Sequence, residues 1–295
     1  MIQDIAPKKL YNEYTQKNPL PTDRMMMFRE NKILIKELGG CMKLPTRMEL
    51  ETLGGYSQDT SAAAIGKQQY LFRIEEGCYF RYPAFAELET GLQNALQLDG
   101  TDFHWVSLSQ IRGCQDRELC FAVYTAYHLE QWYQSHVFCG CCGARTVPDT
   151  RERMLSCPVC GSQSYPVIAP AVIAAVTDGD KILLTKYANR EYKRYALIAG
   201  FTEIGETAEE TVRREVMEET GIRVKNIRYY KSQPWGIDGN LLLGFFAELD
   251  GSSRISLDEN ELAAAEWVSR DKLKDMDDSF SLTREMMRVF YENRI

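Results

Sequence analysis

Apolar positions along this chain fall into short strand-like runs and longer stretches of helical spacing, and their arrangement changes near the middle. In the first 130 residues, Lys32–Glu37, Tyr70–Ile74 and the stretch around Cys78–Tyr82 predict strands. Pro83–Leu96 and Glu118–Ser135 carry helical spacing. The second half is more regular. Ile168–Val176 is an unbroken apolar run that reads as a buried strand, Asp178-Gly179-Asp180 is a hairpin turn, and Lys181–Tyr187 returns as a strand. Ala196–Ala199 leads into an acidic helix. Ile227–Tyr230, Leu241–Leu249 and Ala265–Val268 predict three more strands, and Ser281–Glu292 closes the chain as a helix.

The acidic helix is bounded by its own signals. Thr207 followed by Glu210 is a capping-box pattern, and Gly221 stands where a helix stops. Seven glutamates fall within residues 200–222, a density that usually marks only a solvated face. At about 100° per residue, Ala208, Val212 and Val216 form one apolar stripe. Glu219 lies on the same arc, Glu215 on its border and Glu218 beside it. Glu209 and Glu210 point away, four residues before Arg213 and Arg214, as surface ion pairs would. A carboxylate on a core-facing arc is costly unless something neutralises it. Several converging on one edge form a seat for hard divalent cations.

Composition narrows the classes. At 295 residues the chain can bury a large core and divide into more than one domain. A net charge of -7 argues against a general nucleic-acid or membrane-surface binder, and it suits a protein that meets anionic substrates through bound cations. Met1-Ile2-Gln3-Asp4 lacks the layout of a secretion signal. The longest apolar stretch, near Val167–Val176, contains Pro170 and is too short to span a bilayer. Nine cysteines, four of them in paired short spacings, point to metal thiolates in a reducing cytoplasm rather than to disulfides.

Those pairs are Cys139/Cys142 and Cys157/Cys160, fourteen residues apart, each followed by a glycine. The spacing predicts a four-thiolate zinc ribbon with no position left for water, hence a structural zinc. Cys141 and His136 are weaker alternatives that break the two-residue spacing. Cys41, Cys78, Cys114 and Cys120 read as reduced, partly buried thiols. His104 and His128 read as surface or hydrogen-bonded histidines, and Met25–Met27 as core filler.

Gly200, five residues, Glu206, seven residues, Arg214-Glu215-Val216, one residue, Glu218-Glu219, one residue and Gly221-Ile222 together resemble the Nudix box. The four-cysteine ribbon before it and Ser232-Gln233-Pro234-Trp235 after it resemble the NAD(H) pyrophosphatase branch of that family. The resemblance implies an α+β fold: a Nudix α/β/α sandwich at 167–295, a zinc ribbon at 133–166, and a separate mixed α/β domain at 1–132. It implies hydrolysis of NAD(H) to nicotinamide mononucleotide and AMP, removal of NAD caps from RNA as a further activity, and a homodimer. Glu215, Glu218, Glu219, Glu261 and the Ala199 carbonyl would bind magnesium or manganese, with Glu259 as the alternative to Glu261. Glu218 would be the general base, Arg214 would orient the carboxylates, and Gly200 would permit the turn that brings Ala199 to the metals. Tyr165, Phe201, Gln233, Pro234, Trp235 and Thr283 would meet the substrate, with Trp235 as a rigid platform just past the first strand after the box. The branch continues with Pro-Phe-Pro-x-Ser, whereas this chain has Gly236-Ile237-Asp238-Gly239-Asn240, a more flexible loop at the same place. That departure leaves ADP-ribose as an alternative substrate. A ligand-sensing Nudix domain is a further alternative, although such domains lose box carboxylates that this chain keeps.

Overall fold

Val172, Ala174 and Val176 are buried on one face of the strand Ala169–Asp178, and Ile173 and Ala175 on the other. A strand buried on both faces needs a helical layer on each side. The computed structural model describes residues 1–53, 68–82, 98, 100–188, 195–258, 260–273 and 280–295. It divides into two compact units: Met1–Ile2, Ile168–Trp235 and Gly239–Ile295 in one, and Gln3–Val167 with Gly236–Asp238 in the other.

In the C-terminal unit we number the elements β1 (Ala169–Asp178), β2 (Lys181–Tyr187), β3 (Ile198–Phe201), α1 (Ala208–Thr220), β4 (Val224–Trp235), β5 (Asn240–Leu249), β6 (Leu262–Ser269) and α2 (Leu282–Tyr291). The sheet runs β4-β5-β1-β2-β6, and β3 pairs antiparallel with β1. Among the described strands of this sheet only β1 and β5 are parallel, with Val172 beside Leu243. Val172, Val176 and Leu183 pack with Val212 and Val216 of α1, while Ile173, Ile182 and Leu184 pack with Leu282, Met286 and Phe290 of α2. The sheet therefore lies between two helices, as the alternation along β1 requires.

The expected strand Ile227–Tyr230 is much longer. It runs from Val224 to Trp235, so Ser232–Trp235 lie within it rather than past it, and Trp235 pairs with Asn240 across a hairpin. The predicted helix Pro83–Leu96 lies outside the described residues.

In the other unit, Gln69–Ile74 and Gly77–Arg81 form a hairpin joined in parallel by Arg24–Met26. A second sheet is centred on Lys32–Leu38. Met25, Met27, Leu34, Tyr70 and Phe80 share one core, so the methionine run is core filler. The helix Arg117–Ser135 starts on the Asp116 cap and buries a salt bridge between Glu130 and Arg81. His104 faces Glu37 at 3.3 Å, and the His128 ring nitrogen lies 2.9 Å from the Val167 carbonyl oxygen. Among the described residues no helix is long and apolar enough to cross a membrane.

Candidate active site

Capping fixes where α1 begins and ends. The Thr207 hydroxyl accepts from the Glu210 amide, and the Glu210 carboxylate accepts from the Thr207 amide at 2.8 Å. Gly221 closes the helix at φ 68°, a conformation that favours glycine. A side chain there would also meet Ser256. Ser256 and Asp258 donate their amides to the carbonyls of Thr220 and Glu219, which ties the loop before β6 to the end of the helix.

With the frame set, the helix turns two carboxylates inward. Glu219 is 2% exposed and Glu215 9%, on the same side as Val212 and Val216. Glu218 lies beside them with 58% of its side chain exposed. Burial pushes the Glu215 carboxyl above the ordinary carboxylate range. Arg214 pulls it the other way, and the neighbouring charges of Glu218 and Glu261 add to the rise.

Arg214 organises the cluster. Its Nε and Nη2 grip Glu206 at 2.6 and 2.9 Å, Nη1 reaches Glu215 at 2.7 Å and Glu218 at 3.0 Å, and Nη2 also donates to the Phe201 carbonyl. The expected surface pairs of Glu209 with Arg213 and Glu210 with Arg214 do not form. Glu210 is used by the cap, Arg213 turns back to the Glu209 carbonyl, and Arg214 turns inward because four better placed acceptors surround it. Sequence reasoning did not assign Glu206 to the site. Its fixed place before the cap was the available signal.

Gly200 has a different role from the expected one. It lies in the extended strand β3, opposite Val172, and makes no turn. What it supplies is space, because a Cβ there would fall 1.9 to 2.3 Å from the Glu215 carboxylate. Ala199, one residue earlier, pairs with Ile173.

The remaining predicted residues belong to several elements of the two units. Phe201 ends β3 and is 51% exposed. Glu261 is exposed at the start of β6, and its carbonyl accepts from the Ala188 amide. Glu259 lies outside the described residues. Gln233 is buried, and its amide group bridges the Phe280 carbonyl and the Leu282 amide, so it clamps the start of α2. Trp235 meets Phe280 edge to face, Pro234 is exposed, and Thr283 is half-buried in the first turn of α2. Gly239 and Asn240 belong to the hairpin, where the Gly239 carbonyl accepts from Ala169. Gly236, Ile237 and Asp238 cluster with the other unit. There Gly236 is buried, and a Cβ would lie 2.0 Å from the Tyr124 carbonyl, so this part of the expected flexible loop is packed. Tyr165, in that same unit, is half-exposed and donates to Glu152 at 2.9 Å.

The donor set suits hard divalent cations: two buried carboxylates with exposed ones beside them, a glycine cradle, and no sulfur or imidazole among the residues just described. Among the described residues, only Cys139, Cys142, Cys157 and Cys160 form a group with ligand atoms all within 4.8 Å of one another. The glutamates are spread wider, with the Arg214 guanidinium between them.

The four cysteines form two matching knuckles. Gly143 and Gly161 adopt φ of 74° and 73° and donate to the carbonyls of Cys139 and Cys157. The sulfurs of Cys139 and Cys160 are 3.6 Å apart, and those of Cys142 and Cys157 3.4 Å. A tetrahedron with zinc–sulfur bonds of about 2.3 Å has edges of about 3.8 Å, so the group fits zinc. Cys141 points to Ser162 and His136 bonds the Trp132 carbonyl. All nine cysteines are free.

Residues 167–289 match the NUDIX domain family, and residues 134–165 match the NADH pyrophosphatase zinc ribbon domain. The chain is similar to an NAD-capped RNA hydrolase NudC of Haemophilus influenzae, 37% identical over 206 residues that span 68% of this chain and 71% of the relative. It is also similar to the NAD-capped RNA hydrolase NudC of an Enterobacter strain, 45% identical over 145 residues covering 49% and 56% of the two chains. A NUDIX hydrolase structure from Nitrosomonas europaea overlaps 52% of this chain and 90% of its own at 25% identity, with a TM-score of 0.45.

Proposed function

This chain belongs to the NADH pyrophosphatase family of Nudix hydrolases, and from that premise we propose that it cleaves the pyrophosphate of NAD(H) into nicotinamide mononucleotide and AMP. The observation that carries the reading is the pair of inward carboxylates, Glu215 and Glu219, on a capped helix whose arginine gathers the surrounding glutamates. The relatives named above are NAD-capped RNA hydrolases, which supports a 5′ NAD cap on RNA as a second substrate.

In this reading Glu215, Glu219, Glu261 and the Ala199 carbonyl would hold Mg2+ or Mn2+. Those cations would offset the diphosphate charge and acidify a water. Glu218, exposed beside the buried pair, takes the proton of the attacking water on its carboxylate. Arg214 keeps Glu218 and Glu215 in register through one nitrogen. A bond forms between water oxygen and one phosphorus, the anhydride bond to the other phosphate breaks, and two phosphomonoesters leave. Phe201 offers an exposed ring on which a base can stack. Zinc in the ribbon is structural.

A second reading, an ADP-ribose pyrophosphatase, is favoured by Gly236–Asp238, which replace the branch's proline-rich sequence. We further place domain limits at 1–132, 133–166 and 167–295, in a cytoplasmic homodimer. The test is side-by-side turnover of NADH, NAD+, ADP-ribose and NAD-capped RNA with Mg2+ or Mn2+. Nicotinamide mononucleotide and AMP from NADH are expected, and failure to cleave any dinucleotide would refute the proposal.

A further inference from the structure

A cavity of about 520 Å³ opens in the N-terminal unit, built from segments that play no part in the site above. Its size falls in the range of small-molecule sites. Four cations, Lys8, Arg24, Lys36 and Lys43, and three carboxylates line it. The chain as a whole carries a net -7, so the sign of this lining is locally reversed.

The carboxylates are already engaged. Glu49 accepts from Lys36 at 2.7 Å and from the amide and hydroxyl of Thr46. Glu118 binds Lys8 and the Tyr79 hydroxyl. Asp116 caps the helix Arg117–Ser135 by accepting from Leu119. Neither Arg24 nor Lys43 is in an ion pair with another described residue.

Two features leave positive charge at the cavity for an anion to meet. Lys36 and Lys43 are direct partners across antiparallel strands, where like charges oppose each other. Glu49 answers only the first. Arg24 is held over the Tyr79 ring at 5.4 Å, and Gly77 leaves room for its guanidinium, since a Cβ there would come within 2.3 Å of Nη1. Its fork thus stands at the wall of the cavity that the Lys43 ammonium also lines. Leu38, Met42 and Leu44 supply an apolar side.

We propose that this cavity binds a phosphomonoester of nucleotide size, with the phosphate on Arg24 and Lys43 and its organic body against the apolar side. The assignment is independent of what the Nudix helix hydrolyses. A phosphate dianion matches the two uncommitted cations, and the volume exceeds what inorganic phosphate alone would fill.

The experiment is calorimetric titration of the full-length Glu219→Gln protein without added divalent cations, using AMP, nicotinamide mononucleotide and inorganic phosphate as probes. One saturable site for a nucleotide is expected, with inorganic phosphate weaker. Lys43→Ala and Arg24→Ala should each weaken it about tenfold, the scale of one charged hydrogen bond. Lys181→Ala, an exposed lysine in the other unit, should change nothing. A nucleotide-induced rise in melting temperature, lost in the same two variants, provides a second readout. No saturable binding of any probe, or binding that all three variants affect equally, would overturn the assignment.

Discussion

The carboxylate of Glu215 sits where a side chain on Gly200 would begin, with its carboxyl carbon 1.9 Å from an ideal Cβ position. Strand β3 and helix α1 approach so closely that only the missing side chain lets the carboxylate turn inward. Gly200 is extended, so alanine is tolerated by the backbone there and excluded only by Glu215. Gly200→Ala should displace the carboxylate and leave the surrounding sheet intact. We expect a loss of turnover of about a hundredfold, comparable to disturbing the support of a metal ligand, with near-native circular dichroism. Activity within a few fold of wild type would show that the position of Glu215 is unimportant.

Glu219 is the more deeply buried carboxylate, and a buried carboxylate is stable only with a compensating charge. Glu219→Gln removes the charge and keeps the shape. Turnover of NADH should fall by about two to three orders of magnitude, while the thermal midpoint measured without divalent cations holds or rises. An unchanged rate would remove Glu219 from the chemistry.

Much of this site could be read from spacing, because helix periodicity and capping are local. Thr207, Glu210 and Gly221 bound the helix as expected, and Glu215 and Glu219 are buried on the side of the stripe through Val212 and Val216. What could not be read were choices among competing long-range partners. Arg214 had a helix partner four residues back, yet its fork goes to Glu206 in the preceding loop. Gly200 looked like a turn residue, but its function is set by a carboxylate fifteen positions later. Trp235 and Gln233 followed a short apolar run that suggested an early strand end. Pairing with β5 extends that strand, and its alternation is broken by register shifts between Lys225 and Arg228 and between Tyr229 and Lys231.

Gln233 has a structural task of its own. Its amide satisfies the Phe280 carbonyl and the Leu282 amide, both at the start of α2. Gln233→Ala should cost about 1–3 kcal/mol of stability by leaving buried backbone groups unmet. If clamping α2 is its role, KM for NADH well below the melting temperature should stay within about twofold of wild type. A large rise in KM with unchanged stability would instead assign the side chain to substrate.

Glu206 gives a pH signature. Hydrogen bonds from Arg214 first, and from the Glu203 amide and Thr211 hydroxyl, lower its pKa from 4.5 to about 2. The folded value lies below the unfolded one, so the contribution is fully present above the ordinary glutamate range. It is lost as pH falls through that range toward about 2. The stability difference between wild type and Glu206→Gln should therefore be constant near neutral pH and shrink steadily in acid. A difference that does not change with pH would mean that the Arg214 contacts do not favour the charged form.

The ribbon should depend on metal, because its sulfurs do not all favour the thiolate unaided. Backbone amides of Cys141 and Cys142 stabilise the Cys139 thiolate and bring its pKa to about 6. At Cys160 the Ser162 amide acts in the same direction, but the three neighbouring cysteine sulfurs together outweigh it and push the thiol up to about 12. A dication that binds all four must displace protons, so zinc affinity should fall as pH falls. Around the cysteines there are only three strands of two residues each, too little to hold these loops without the metal. Metal analysis should find one zinc per chain. Removing it with a chelator, or changing Cys142 to serine, should open residues 139–164 to protease while α1 and its sheet keep their protection from hydrogen exchange. Equal protease resistance with and without zinc would show that the knuckles fold on their own hydrogen bonds.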